Sequence, residues 1–165
     1  MIGQNAIGRG HGRARGHCHN ETITIEEDGM HESGSIRVYV VEDSPIILAA
    51  LSQRIEDDPR FAVVGHADSA KDAICALEQN VPDVLIVDLH LKQGTGYEIL
   101  LYLRNAGAPT ALQTVVLTNY ASSAHRRRAM ELGADSFYDK SMQFDDMLDA
   151  LRVWADKKGV ALPEK

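Results

Sequence analysis

Five side chains in this sequence are of the types that handle phosphate and metal together: the carboxylates of Glu42, Asp43 and Asp88, the hydroxyl of Thr118 and the ammonium of Lys140. They are remote along the chain, with 45 residues from Asp43 to Asp88, 30 on to Thr118 and 22 more to Lys140, so only a tertiary fold could gather them. Three carboxylates converging on one pocket repel and raise one another's pKa unless a cation sits among them, which implies a metal. Hard oxygen ligands with no nearby His or Cys ligand set favour magnesium, or manganese, which takes one or two carboxylates plus phosphate oxygens and keeps several waters. Asp88 in such a pocket could attack a phosphoryl donor and form an acyl phosphate, provided the charge on the transferring oxygens is neutralised. Lys140 can supply a point charge and the Thr118 hydroxyl a hydrogen bond to another phosphoryl oxygen.

The elements that must position these groups can be read from Ile36 onward, where strand and helix patterns alternate in five rounds. That alternation is the mark of a parallel sheet covered by helices on both faces. Continuous apolar runs suit strands buried on both sides, and they fall at Ile36 to Val41, Phe61 to Gly65, Val84 to Val87, Thr114 to Leu117 and Ser136 to Tyr138. Each of the five chemical residues then lies at the carboxyl end of a strand, where sheets of this kind bind ligands. Helix end signals agree. Ser44 with Pro45 marks an N-cap and first turn, with the helix running to about Asp57. Ser69 with Asp72, and Thr95 with Glu98, resemble capping boxes. Ala70, Ala73, Ile74 and Leu77 make the apolar face of the second helix, and Ile99, Leu100 and Leu103 that of the third. The fourth, about Ser122 to Leu132, has the weakest apolar stripe and carries His125, Arg126, Arg127 and Arg128, read as a solvated face. In the fifth, Phe144, Met147, Leu148, Leu151 and Trp154 recur at helical spacing and read as core.

The bulk properties narrow the classes. A chain of 165 residues accommodates one domain with a real core, and the hydrophobic and charged contents are close to globular averages. No apolar run is long enough to span a membrane and the N-terminus lacks the core of a secretory signal, so a cytoplasmic, membrane-free protein is expected. Cys18 in a polar stretch and Cys75 in a helical pattern are expected as free thiols. A formal net charge of −7 argues against a surface devoted to nucleic-acid phosphates. Residues 1–35 hold just over half of the glycines and four of the seven histidines with no apolar period, and read as a disordered tail. His11, His17, Cys18 and His19 there are candidate metal ligands, but a zinc site needs regular spacing and a fold around it. A start at Met30 is the plainer alternative. Residues 156–165 are too short for an output domain, so a domain standing alone at 36–155 is the expectation.

Val40-Val41-Glu42-Asp43-Ser44, Val87-Asp88-Leu89, Leu117-Thr118 and Asp139-Lys140 resemble the receiver domain of two-component response regulators, over about Ile36 to Ala155. The resemblance implies a flavodoxin-like doubly wound sheet of order 2-1-3-4-5 with five helices. It implies Asp88 as phosphoacceptor and a magnesium pocket of Glu42, Asp43 and Asp88 helped by the main-chain carbonyl of His90. Phe137, three residues before Lys140, resembles the aromatic that turns inward when the threonine hydroxyl is drawn to the phosphoryl group, remodelling the face of the fourth helix and fifth strand. The implied partners are a histidine kinase or phosphotransfer protein and an unidentified downstream protein, with a phosphorylation-dependent homodimer left open. The protein would then be a phosphoacceptor rather than an enzyme acting on other substrates.

Singly, each residue has a plainer reading: Asp88 as a cap, Thr118 as a sheet residue, Lys140 as surface, Phe137 as core. Their agreement in order and strand position favours the functional reading. Ser141 stands where the family usually has proline, and a non-proline cis bond costs about 2.5–4 kcal/mol, so whether the Lys140-Ser141 bond is trans is left open, and with it the lysine's aim. Asn119, Tyr120 and His90 flank the site, with bulk that could shield an acyl phosphate. Three competing readings are a nucleotide- or flavin-binding protein, a phosphorylation-independent receiver-fold module and a fragment of a DNA-binding regulator. Glu42-Asp43-Ser44-Pro45 opposes the first, because phosphate cradles need glycines and free N–H groups.

Overall fold

Five short runs with apolar centres pair into one parallel sheet. The computed structural model describes residues 34–162. The strands are β1 (Ile36–Val41), β2 (Phe61–Ala67), β3 (Val84–Val87), β4 (Gln113–Thr118) and β5 (Ser136–Asp139). They alternate with α1 (Pro45–Glu56), α2 (Ala70–Gln79), α3 (Gly96–Ala106), α4 (Ser123–Glu131) and α5 (Phe144–Lys157). The strand order is β2-β1-β3-β4-β5 with every pairing parallel, so the flavodoxin-like expectation is met.

The two faces of the sheet explain the apolar strands. Val38, Val40, Val84, Ile86, Val115 and Leu117 pack against α1 and α5 through Leu51, Ile55, Met147, Leu148 and Leu151. Tyr39, Val41, Leu85 and Val87 face the other way, against Ala70, Ala73 and Leu77 of α2 and Ile99 and Leu103 of α3. A third cluster joins α3 to α4 and β5 through Leu89, Leu100, Val116, Ala129 and Phe137. Alternate residues of each strand thus serve opposite layers, as the pleat requires.

Strand β2 runs two residues past the expected end at Gly65. Gly65 is there because a Cβ would stand 2.7 Å from the Tyr39 ring, so its glycine marks a close approach and not a chain break. The β1–β2 register also shifts between Val38 and Tyr39. Ser69 caps α2 as expected, accepting from Asp72 N–H. Ser44 and Thr95 occupy N-cap positions without side-chain caps: Ser44 N–H donates to Glu42 Oε1, and the Thr95 hydroxyl donates to Glu98. Cys75 departs from the expected free thiol, being disulfide-bonded. Sulfur proximity is a tertiary matter that the polarity of the flanking sequence does not reveal. Cys18 and the other candidate ligands of the N-terminal stretch lie outside the described residues.

Candidate functional site

The carboxyl ends of β1, β3, β4 and β5 stand side by side because their registers are aligned: Val41 is opposite Val87, and Thr118 opposite Asp139. The backbone continues the alignment past the strands, with Asp88 N–H donating to Val41 C=O and Lys140 N–H to Thr118 C=O. Glu42, Asp43, Asp88, Thr118 and Lys140 are thereby brought to one edge at the carboxyl ends of four strands. One carboxylate oxygen from each of Glu42, Asp43 and Asp88 lies within 4.8 Å of the others.

Each carboxylate is held by a main-chain N–H. Glu42 Oε1 accepts from Ser44 at 3.0 Å and Asp88 Oδ1 from His90 at 3.1 Å, both two residues onward, as short acidic side chains do where a chain reverses. Asp43 is held from across the site, its Oδ2 accepting from Lys92 N–H at 2.9 Å. Thr118 Oγ1 accepts from Tyr120 N–H at 3.3 Å. These bonds orient one oxygen of each of the four side chains before any ligand arrives, which is the preorganisation that electrostatic catalysis needs.

Lys140 closes the cup. Its Nζ is 2.5 Å from both Glu42 Oε2 and Asp88 Oδ2, with side chains 7%, 2% and 9% exposed. Burial pulls the Lys140 ammonium down, but the hydrogen bonds and charges of Asp88 and Glu42 outweigh it and hold the pKa above its ordinary value of 10.5. Among the described residues no peptide bond is cis, so Lys140-Ser141 is trans. The lysine reaches the cup without a proline, and Asp139 Oδ1 accepts from both the N–H and the hydroxyl of Ser141 to shape the turn.

Three carboxylates against one ammonium leave two negative charges in excess. A hard dication answers that excess, and each oxygen already bonded retains acceptor capacity, so the donor set fits magnesium or manganese.

The surroundings divide into core and rim. Phe137 is buried, packed with Leu89, Leu100, Val116 and Ala129, and the Arg126 guanidinium lies 4.9 Å from its ring centroid. Asn119 and Tyr120 are exposed, and the Tyr120 ring lies 3.8 Å from that of His90, so two of the flanking residues form one aromatic wall. The His90 ring meets His125 edge-on at 5.6 Å, His125 Nδ1 hydrogen-bonds Tyr97 Oη at 2.6 Å, and Arg128 stacks over Tyr97. Arg126, Arg127 and Arg128 are exposed as expected, yet two of them also cover aromatic rings.

Sequence reasoning missed three contributors. Gly96 has no tolerance for a side chain, since a Cβ would stand 2.4 Å from the Asp88 carbonyl oxygen. Lys92 and the Tyr97–His125 pair also went unnoticed, because contacts between loops leave no periodic trace.

The chain matches the family model described as "Response regulator receiver domain" over residues 38–152. An uncharacterized transcriptional regulatory protein of Bacillus subtilis, YvfU, is 29% identical over 129 residues, 78% of this chain and 64% of that protein. A protein-glutamate methylesterase/protein-glutamine glutaminase of Cereibacter sphaeroides is 34% identical over 140 residues, 79% of this chain and 38% of that protein. The chain therefore spans less than two thirds of these relatives. Among solved structures, a two-component response regulator of the LuxR family from Aurantimonas matches with a TM-score of 0.67 and 27% identity, covering 74% of this chain and 86% of that one. The signal receiver domain of NarL from Mycobacterium tuberculosis shares the fold with a TM-score of 0.67 at 21% identity, covering 74% and 98%.

Proposed function

Because this chain belongs to the response regulator receiver domain family, we propose that it accepts a phosphoryl group on Asp88 from a histidine kinase or phosphotransfer protein and passes the change of state to a partner protein. The observation that carries this is the cup itself: three carboxylates, each held by a main-chain N–H, with a buried ammonium touching two of them.

In the reaction an Asp88 oxygen forms a bond to phosphorus as the donor's bond to phosphorus breaks, and the leaving group departs in line. Magnesium, held by Glu42, Asp43, Asp88 and the main-chain carbonyl of His90, would neutralise charge on the transferring oxygens. Lys140 stays as the fixed positive charge beside Asp88 and exchanges part of its carboxylate contact for a phosphoryl oxygen. The Thr118 hydroxyl, which is fully buried and spends its oxygen on Tyr120 N–H, turns to donate to another phosphoryl oxygen. Phe137, the second residue of β5 and opposite Val116 on β4, takes up the freed space, and Arg126 on α4 moves with the ring it covers. The α4-β5-α5 face is thus the surface that reports phosphorylation. Tyr120 and His90 shield the acyl phosphate from water.

This reading makes the protein a cytoplasmic phosphoacceptor of two-component signalling. Among the described residues, no helix is long and apolar enough to cross a membrane. The relatives' greater lengths favour, as a second reading, a piece of a DNA-binding regulator, which sequence beyond Lys165 in the gene decides. A phosphorylation-independent module would have no use for the complete acidic set.

The test is incubation with magnesium and a small phosphodonor such as acetyl phosphate. The wild type is expected to gain one phosphoryl group, and neither Asp88→Asn nor wild type in chelator gains any. A wild type that stays unmodified contradicts the proposal.

A further inference from the structure

The loop between β3 and α3 brings a second cation to the rim of the cup. Lys92 grips Asp43 twice, through its N–H to Oδ2 at 2.9 Å and through its ammonium to the main-chain carbonyl at 3.2 Å. The first bond fixes the carboxylate. The second fixes the ammonium at the backbone of a residue whose side chain belongs to the acidic cluster. Lys92 is exposed while Lys140 is buried, so the two ammoniums differ in kind: Lys140 is part of the cup, and Lys92 stands outside it. Outside Lys92, the cup has two negative charges in excess. An incoming dication meets that excess diminished by the charge on the rim.

We propose that Lys92 sets how tightly the cup holds a divalent cation, its N–H positioning Asp43 and its ammonium weakening the hold, so that the metal stays exchangeable. This rests on the receiver reading of the same site. The two functions reside on different atoms and can be separated, since any side chain other than proline retains the N–H. A unit charge about 7 Å from a dication in a water-like dielectric corresponds to roughly a fivefold to tenfold change in dissociation constant at low salt. Screening brings this to about twofold near physiological ionic strength. A purely structural lysine acts in the opposite direction: losing its bond to the Asp43 carbonyl would loosen the loop and weaken the metal.

The experiment is calorimetric titration of the full chain with magnesium alone, for wild type, Lys92→Met, Lys92→Glu and Lys92→Arg, at low and at moderate salt, with thermal melts to verify folding. Lys92→Met is expected to bind about fivefold to tenfold more tightly at low salt, Lys92→Glu more tightly still, and Lys92→Arg as wild type, with the differences shrinking as salt rises. Affinity in Lys92→Met that is unchanged, weaker, or tighter without salt dependence overturns the inference and leaves the receiver reading standing. A wild type that binds no magnesium overturns both.

Discussion

Replacing Lys140 by methionine probes the cup most severely, because the side chain stays long and unbranched, only one atom shorter, while the charge and its hydrogen-bond donors are lost. Lys140 Nζ lies 2.5 Å from Glu42 Oε2 and from Asp88 Oδ2, and none of the three side chains is more than 9% exposed. At an effective dielectric of about 20, each contact is worth roughly 6–7 kcal/mol in gross Coulomb energy, most of it offset by the desolvation of all three ions. Removing the cation removes the attraction and leaves the desolvation, so the net cost belongs to the class of broken buried pairs, about 3–5 kcal/mol. Since the folded Lys140 pKa is raised, the ammonium's contribution is complete below 10.5 and is lost as pH rises through the folded value. Urea unfolding in chelator at neutral pH measures the deficit directly. A loss below about 1 kcal/mol would refute the idea that Lys140 neutralises a buried acidic cup.

Other perturbations follow from single contacts. Gly96→Ala places a Cβ against the Asp88 carbonyl oxygen and Val87, and overpacking of this kind costs about 1–3 kcal/mol or more. A melt within error of wild type would show that the approach is not tight. Tyr120→Ala removes the ring stacked on His90 and should shorten the lifetime of phosphorylated Asp88 by about threefold to tenfold, the scale of about 1 kcal/mol in a barrier. An unchanged dephosphorylation rate rules the shield out. Asp58 is held below its ordinary pKa of 3.8 chiefly by the hydrogen bond from Arg60, against the opposing effect of burial. Its contribution is therefore present above that value and lost as pH falls through the folded one, and acid unfolding of Asp58→Asn should be less steep there. Parallel acid profiles for the two proteins would contradict it.

Much of this was visible in the sequence for physical reasons that also mark its limits. Val84 to Val87 and the Val115 to Leu117 centre of β4 are buried on both faces, so they must be apolar and are easy to find. Edge strand β2 is only partly buried, and Gly65 with His66 reads as an end until the Tyr39 ring over Gly65 is known. Glu42, Asp43, Asp88, Thr118 and Lys140 were legible as a set because parallel strands deliver their carboxyl ends to one edge. The direction of the oxygens was not, since it depends on N–H groups of Ser44, His90 and Lys92 that any residue but proline would supply. Gly96 and the Tyr97–His125 contact belong to loop and helix approaches with no periodicity. The disulfide at Cys75 likewise depends on distance in space.

On the proposed function one carboxylate among the three receives the phosphoryl group, and trapping the acyl phosphate locates it. Protein incubated with magnesium and a small phosphodonor, then reduced with borohydride to convert any acyl phosphate to an alcohol, can be digested and sequenced by mass spectrometry. Reduction confined to Asp88 is the expected result. Reduction at Glu42 or Asp43, or a phosphoryl group found on a histidine, would contradict it.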